Sequence, residues 1–187
     1  MADGLFYEDL REPFISADIT AVTLAATNKA LYPASNFPVL GGQYFARPGK
    51  KVRIRLFGRM TTVLTPGNFT GGIYYGSGAD ATGTLLASTA AVALVASQTN
   101  VSWECDLYVH CRTTGSAGTL FVTGKWQFNP LVVASTAQPV MHPATAAAVS
   151  GAVDLTATTN ILSIQALRSG STVETMQVHD MEVHALN

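Results

Sequence analysis

Charge is what this sequence has least of. Only 12% of its 187 residues are charged, about half the usual share for a soluble chain, and Ala, Gly, Thr, Ser and Val fill the space. Eleven Lys and Arg stand against twelve Asp and Glu, a formal charge of -1. No global field then collects nucleic acid or anionic lipid, and neither a specific nucleic acid nor a membrane is expected as a partner. A surface this thinly charged suits one that a protein partner covers in part. Long apolar runs are missing too: the greasiest window, Leu85 to Ala96, is interrupted by Ser88 and Thr89 and falls short of the ~20 apolar residues a membrane helix needs. The opening Met1-Ala2-Asp3-Gly4-Leu5-Phe6-Tyr7 has neither the basic start nor the apolar stretch of a secretory signal. Cysteine is reduced to Cys105 and Cys111. On one strand these two lie roughly 20 Å apart, too far to bond, and fit a reducing compartment as small buried apolar groups.

Chemistry-bearing motifs are equally sparse. Metal ligation would have to come from His110, His142, His179 and His184 with Cys105, Cys111, Asp180 and Glu182. Strand alternation sends His110 away from the cysteines and points His179 and His184 to opposite sides, so no metal or cofactor is expected. Gly76-Ser77-Gly78 and Ser169-Gly170-Ser171 read as turns rather than as strained nucleophile elbows. Glu104 and Asp106 share one outward face but lack a polar cleft for glycoside chemistry. Gly41-Gly42 and Gly71-Gly72 lack the Lys-Ser/Thr ending of a phosphate loop. The chain is expected not to be an enzyme.

What is present is period-two alternation. Val52, Ile54, Leu56, Gly58 and Met60 oppose Lys51, Arg53, Arg55, Phe57 and Arg59, a half-buried strand with a basic outer row. From Asn100 to Arg112, Trp103, Cys105, Leu107, Val109 and Cys111 alternate with Glu104, Asp106, Tyr108, His110 and Arg112. After a Gly-containing turn, Leu120, Val122, Gly124, Trp126 and Phe128 form the partner strand of a hairpin that points both tryptophans into one core. A second hairpin is expected between Ile161–Arg168 and Thr172–Ala185, with weaker alternation: Met176, Val178, Asp180 and Glu182 oppose Gln177, His179, Met181 and Val183. Phe69 to Tyr75, Thr84 to Ala87, Val92 to Val95 and an opening piece, Gln43 to Ala46, complete about eight strands. That count predicts an all-β, two-sheet antiparallel sandwich, a jelly roll. Leu131 to Val153, with Pro139 and Pro143, reads as a long connection.

One compact domain fits this length, and 19–187 is its expected extent. Residues 1–18 carry Leu5, Phe6, Tyr7, Phe14 and Ile15 among acids without a sustained period. They read as an extended arm, reaching up to roughly 60 Å, that needs a surface to lie on. The row Arg53, Arg55 and Arg59 is the second candidate contact. It fits a solvated strand exterior, carboxylates of a protein neighbour or a phosphate backbone.

The order of motifs resembles the jelly-roll structural proteins of tailed bacteriophages, especially those of actinobacterial hosts. The resemblance rests on Lys51 through Thr62, Gly83-Thr84-Leu85-Leu86-Ala87, Ser97 through Trp103, Gly115 through Thr119 and Arg168 through Met176, and covers about Val39 to the C-terminus. It implies a head decoration or minor capsid subunit, made in the host cytoplasm and carried on the outer surface of the virion head. Its partners would be the major capsid protein and further copies of itself, as a homotrimer. The alternative is a tail or fibre module binding host surface glycan, with loop-end aromatics such as Tyr74 and Tyr75 as contacts.

Overall fold

A computed structural model of the protein describes residues 18–37, 39–40, 44–133, 139–144, 150–170 and 173–186. The strands are β1 (Val22–Thr23), β2 (Lys29–Ala30), β3 (Lys51–Thr61), β4 (Asn68–Gly76), β5 (Thr84–Ser88), β6 (Val92–Ala93), β7 (Val101–Thr113), β8 (Thr119–Phe128), β9 (Val140–His142), β10 (Ile161–Arg168) and β11 (Thr175–Leu186). They form two antiparallel sheets packed face to face. One is six-stranded in the order β1-β11-β3-β7-β8-β9; the other runs β2-β10-β4-β5, with β6 also on β4.

The pairs β1 with β11, β2 with β10, β3 with β7 and β4 with β5 are those of one long antiparallel ribbon. Rolled up so that β11 also meets β3 and β10 also meets β4, the ribbon becomes a jelly roll. β8 and β9 widen the six-stranded sheet beyond the basic wrap.

Alternation places the core as expected in β3, β7 and β8. Val52, Ile54, Leu56, Trp103, Cys105, Leu107, Val122 and Trp126 are all buried. Trp103 and Trp126 stack at 5.4 Å, and Phe69 from β4 meets the edges of Trp126 and Phe128 at 5.0 Å each. These rings join the two sheets.

Four expectations are corrected. β10 and β11 are not a hairpin, because they lie in opposite sheets and the chain turns a corner between them. Their patterns give the reason: β10 is buried on both faces except at Leu167, whereas β11 alternates, and two such strands cannot share one half-solvated sheet. Within β11 a bulge at Val178–Asp180 inserts one residue and flips the phase. Met176 and Val178 face the core before it, and Met181, Val183 and Ala185 after it. Gly58 lies opposite, where a Cβ would collide with the Gln177 carbonyl oxygen and the Trp103 ring. Tyr44 and Phe45 belong to a turn rather than an opening strand, and Gln43 lies outside the described residues. The connection from Leu131 to Val153 contains β9, which pairs with Gly124–Trp126. The two-residue strands β1 and β2 carry no periodic signal of their own.

Candidate interaction surface

The outward side chains of β11, β3, β7 and β8 form one broad face, and the pairing register sorts them into rows running across the strands. The central row is Glu182, Arg55, Asp106 and Lys125. On one side of it runs His184, Arg53, Tyr108 and Thr123; on the other runs Asp180, Phe57, Glu104 and Gln127. Several of the charges are met within the chain. Arg53 forks onto Asp106, with Nε donating to Oδ1 at 2.9 Å and Nη2 to Oδ2 at 2.6 Å. Arg55 Nη1 donates to Glu182 Oε2 at 3.0 Å, and Lys125 Nζ lies 3.8 Å from Glu104. Arg59 Nη1 donates to the Asn100 carbonyl oxygen at 2.9 Å.

Aromatic rings lie among these charges. The Arg53, Arg55 and Arg112 guanidinium groups sit 5.3, 4.7 and 4.5 Å from the ring centroids of Tyr108, Phe57 and Phe121, within cation–π range. The hydrogen bond to Asp106 raises the Arg53 pKa. His110, edge-on to Phe121, has its pKa lowered by partial burial and then by Lys51 and Arg112, so its ring is neutral near pH 7. At one end of the face, Phe57, Arg59, Ser102, Glu104, Gln127 and His179 line an open depression of about 710 Å³.

The three arginines singled out from the sequence therefore share one face, each with an intramolecular acceptor. The other candidate contacts, Leu5, Phe6, Tyr7, Phe14 and Ile15, lie outside the described residues. The chain is first described at Asp18, whose Oδ1 lies 2.7 Å from His179 Nδ1, and Ile19 N donates to the Val178 carbonyl oxygen at 3.1 Å. Asp18 and Ile19 thus lie along the edge of β11 that β1 also pairs, beside the face.

Two further readings are corrected. Tyr74 and Tyr75 are buried inside β4, so the glycan-binding alternative loses the contacts named for it. His179 and His184 lie on the same outer side, because the bulge reverses the alternation between them. Among the described residues no group of three or more His, Cys, Asp and Glu is placed to hold a metal ion. Cys105 and Cys111 are unbonded and buried, and burial raises both thiol pKa values. Glu104 and Asp106 do face outward together, each engaged by a cation.

Sequence reasoning missed the buried polar anchor at the corner between β10 and β11. Arg168 Nε lies 2.9 Å from Glu174 Oε2 and donates to the Leu24 carbonyl oxygen at 3.1 Å, while Glu174 Oε1 accepts from Gly67 N at 3.0 Å. The one available signal was a cation and an anion flanking the Ser169-Gly170-Ser171 turn, a pattern that reads equally as solvated surface. No protein-family model, curated protein or solved structure matches the chain.

Proposed function

We propose that this chain is a non-enzymatic structural subunit of a tailed-phage virion, a decoration protein on the outer surface of the head. Residues 1–18, with Leu5, Phe6, Tyr7, Phe14 and Ile15, bind the major capsid protein. Symmetric contacts between copies, three-fold by the resemblance, reinforce the attachment. The observation that supports this reading most is the broad face of the six-stranded sheet. Arg, Tyr and Phe side chains, the types enriched where proteins meet, lie there, and Arg53, Arg55 and Lys125 each have a carboxylate within the chain. A face of that kind suits a protein neighbour better than a phosphate backbone, which needs uncommitted cations. Asp18 and Ile19, which follow the proposed arm, lie on the β11 edge beside this face, which is compatible with that attachment.

The test is co-sedimentation with phage heads lacking the protein, comparing the full chain with a form lacking residues 1–18, after thermal melts show that both fold. The full chain is expected to pellet with heads and the shortened form to stay in the supernatant. Equal pelleting of both would remove the arm from the attachment. A full chain that ignores heads and binds host cell envelope would replace this reading with the tail-module one.

A further inference from the structure

We infer that two copies of this chain dock face to face through the outer side of the six-stranded sheet, about a two-fold axis that runs parallel to the strands between β3 and β7. The inference goes beyond the virion reading and holds whatever larger assembly the chain joins. It rests on the order of charge in the central row: Glu182, Arg55, Asp106, Lys125, or minus, plus, minus, plus, across β11, β3, β7 and β8.

A two-fold axis along the strands leaves position along the strands unchanged, so each row meets itself with the order of strands reversed. The central row then sets Glu182 against Lys125 of the second copy and Arg55 against its Asp106, each contact made twice. In the adjacent row Arg53 falls on Tyr108 of the second copy, a second cation–π contact beside the one it makes at home. An axis lying on β3 would instead set Arg55 on Arg55, and one on β7 would set Asp106 on Asp106. Only the position between β3 and β7 gives opposite signs throughout the row with the whole four-strand face engaged. One mismatch remains in the third row, where Phe57 meets Glu104. This row flanks the central one as closely as the Arg53 row does, so its mismatch offsets the Arg53–Tyr108 contact and the inference rests on the central row.

Size and composition fit. Four strands ~4.8 Å apart, each presenting about ten residues at ~3.3 Å, offer roughly 600 Å² of flat sheet per copy before side-chain relief is counted. That is in the range of the ~800 Å² per partner of a stable protein interface. No described strand packs on this side, and its side chains are half-exposed.

The test uses the full chain, sedimentation mass and two charge reversals, Glu182→Lys and Lys125→Glu. Glu182 and Lys125 lie three strand spacings apart in one copy, about 14 Å, so neither can compensate the other within a single chain. Each variant alone creates like-charge contacts at both ends of the central row and is expected to halve the mass, with the dissociation constant raised by about tenfold or more. Mixed in equal amounts, the two variants restore both opposite-charge contacts, and the original mass is expected to return in a mixed pair. Two-fold pairing alone gives a dimer; combined with a three-fold contact elsewhere it gives a hexamer, and the halving holds for both. A parent of odd subunit number, or a mixture that stays at half mass, would overturn the inference. Thermal melts of each variant separate loss of pairing from loss of folding. If a reversal does not fold, Glu182→Gln and Lys125→Gln must each weaken pairing, and unchanged mass in both would also overturn it.

Discussion

β3 in the six-stranded sheet buries every second side chain and leaves the others half-exposed, whereas β10 in the facing sheet buries all of its residues but Leu167. The difference comes from what lies outside each sheet. Among the described residues no strand packs on the outer side of β3, which carries charge paired with charge. The outside and edge of β10 are closed by irregular chain held through polar anchors. The Tyr32 hydroxyl donates to the Leu162 carbonyl oxygen at 2.8 Å and accepts from Ile164 N at 3.0 Å, standing in for a ladder partner. Gln165 Nε2 donates to the Ala79 and Thr82 carbonyl oxygens at 3.3 and 3.1 Å. Burial of the Tyr32 phenol raises its pKa far above the usual range. One side of the sandwich thus holds its polar groups in water, where an error costs little, and the other holds them out of water, where it costs much.

The strongest way to break that contrast is at the corner where β10 gives way to β11. Glu174 is completely buried and Arg168 is 6% exposed. Glu174→Ala leaves a buried guanidinium without its carboxylate and strips an acceptor from Gly67 N. The expected loss is about 3–5 kcal/mol of unfolding free energy in urea titration. Replacing both members with Met and Leu should recover most of it, since the pair was dehydrated to form. A loss under about 1 kcal/mol for Glu174→Ala would mean that the corner is as wet as the outer face.

Legibility in the sequence follows the same division. β3, β7 and β8 have one wet face, so their period of two is visible, and with it the Trp103–Trp126 core and the outward placement of Arg53, Arg55 and Arg59. β10 is dry on both faces, and Ile-Leu-Ser-Ile-Gln-Ala-Leu-Arg shows no period to assign it to a sheet. Adjacency in sequence is then the remaining cue, and it points to a hairpin that two strands in opposite sheets do not form. In β11 the period is present but broken once, at the His179 bulge, and a single inserted residue makes two clean half-patterns look like one weak one. The charge row was hidden for a different reason: its members come from four strands and meet only through the register.

A second effect, of intermediate size, lies on the inner side of the six-stranded sheet. Trp126 Nε1 donates to His142 Nε2 at 2.7 Å, so the neutral ring carries its proton on Nδ1. Burial pushes the His142 pKa down to about 4, against ~6.5 in an unfolded chain. A base whose folded pKa is depressed binds its proton in the unfolded state first. Its contribution is fully present above pH ~6.5, is lost as pH falls toward 4, and changes no further below that. The loss amounts to about 3 kcal/mol over that window. Chemical denaturation at pH 7 and pH 4.5 should show His142→Gln losing distinctly less stability on acidification than the parent, because carboxylate titration is common to both. Equal losses would mean that the imidazole is wet.

The smallest effect is expected on the half-exposed outer face of the six-stranded sheet. Arg53 and Asp106 make the best-formed ion pair there, a two-pronged contact, yet the two side chains are 31% and 18% exposed. Water competes for both groups, and fixing two long side chains costs rotamer entropy, so Asp106→Ala should lower the unfolding free energy by only about 0.5–1 kcal/mol. The cost should shrink further in molar salt, where exposed charges are screened. Arg55 lies directly across the strand pair from Asp106 and keeps Glu182, so the deletion leaves one cation short of an acceptor in water rather than a charge stranded in the core. Placed beside the Glu174→Ala result, this measurement tests the contrast between the sheets on one scale. A several-fold larger cost at the buried corner supports it, and comparable costs would mean that geometry, rather than hydration, sets the value of an ion pair in this sandwich.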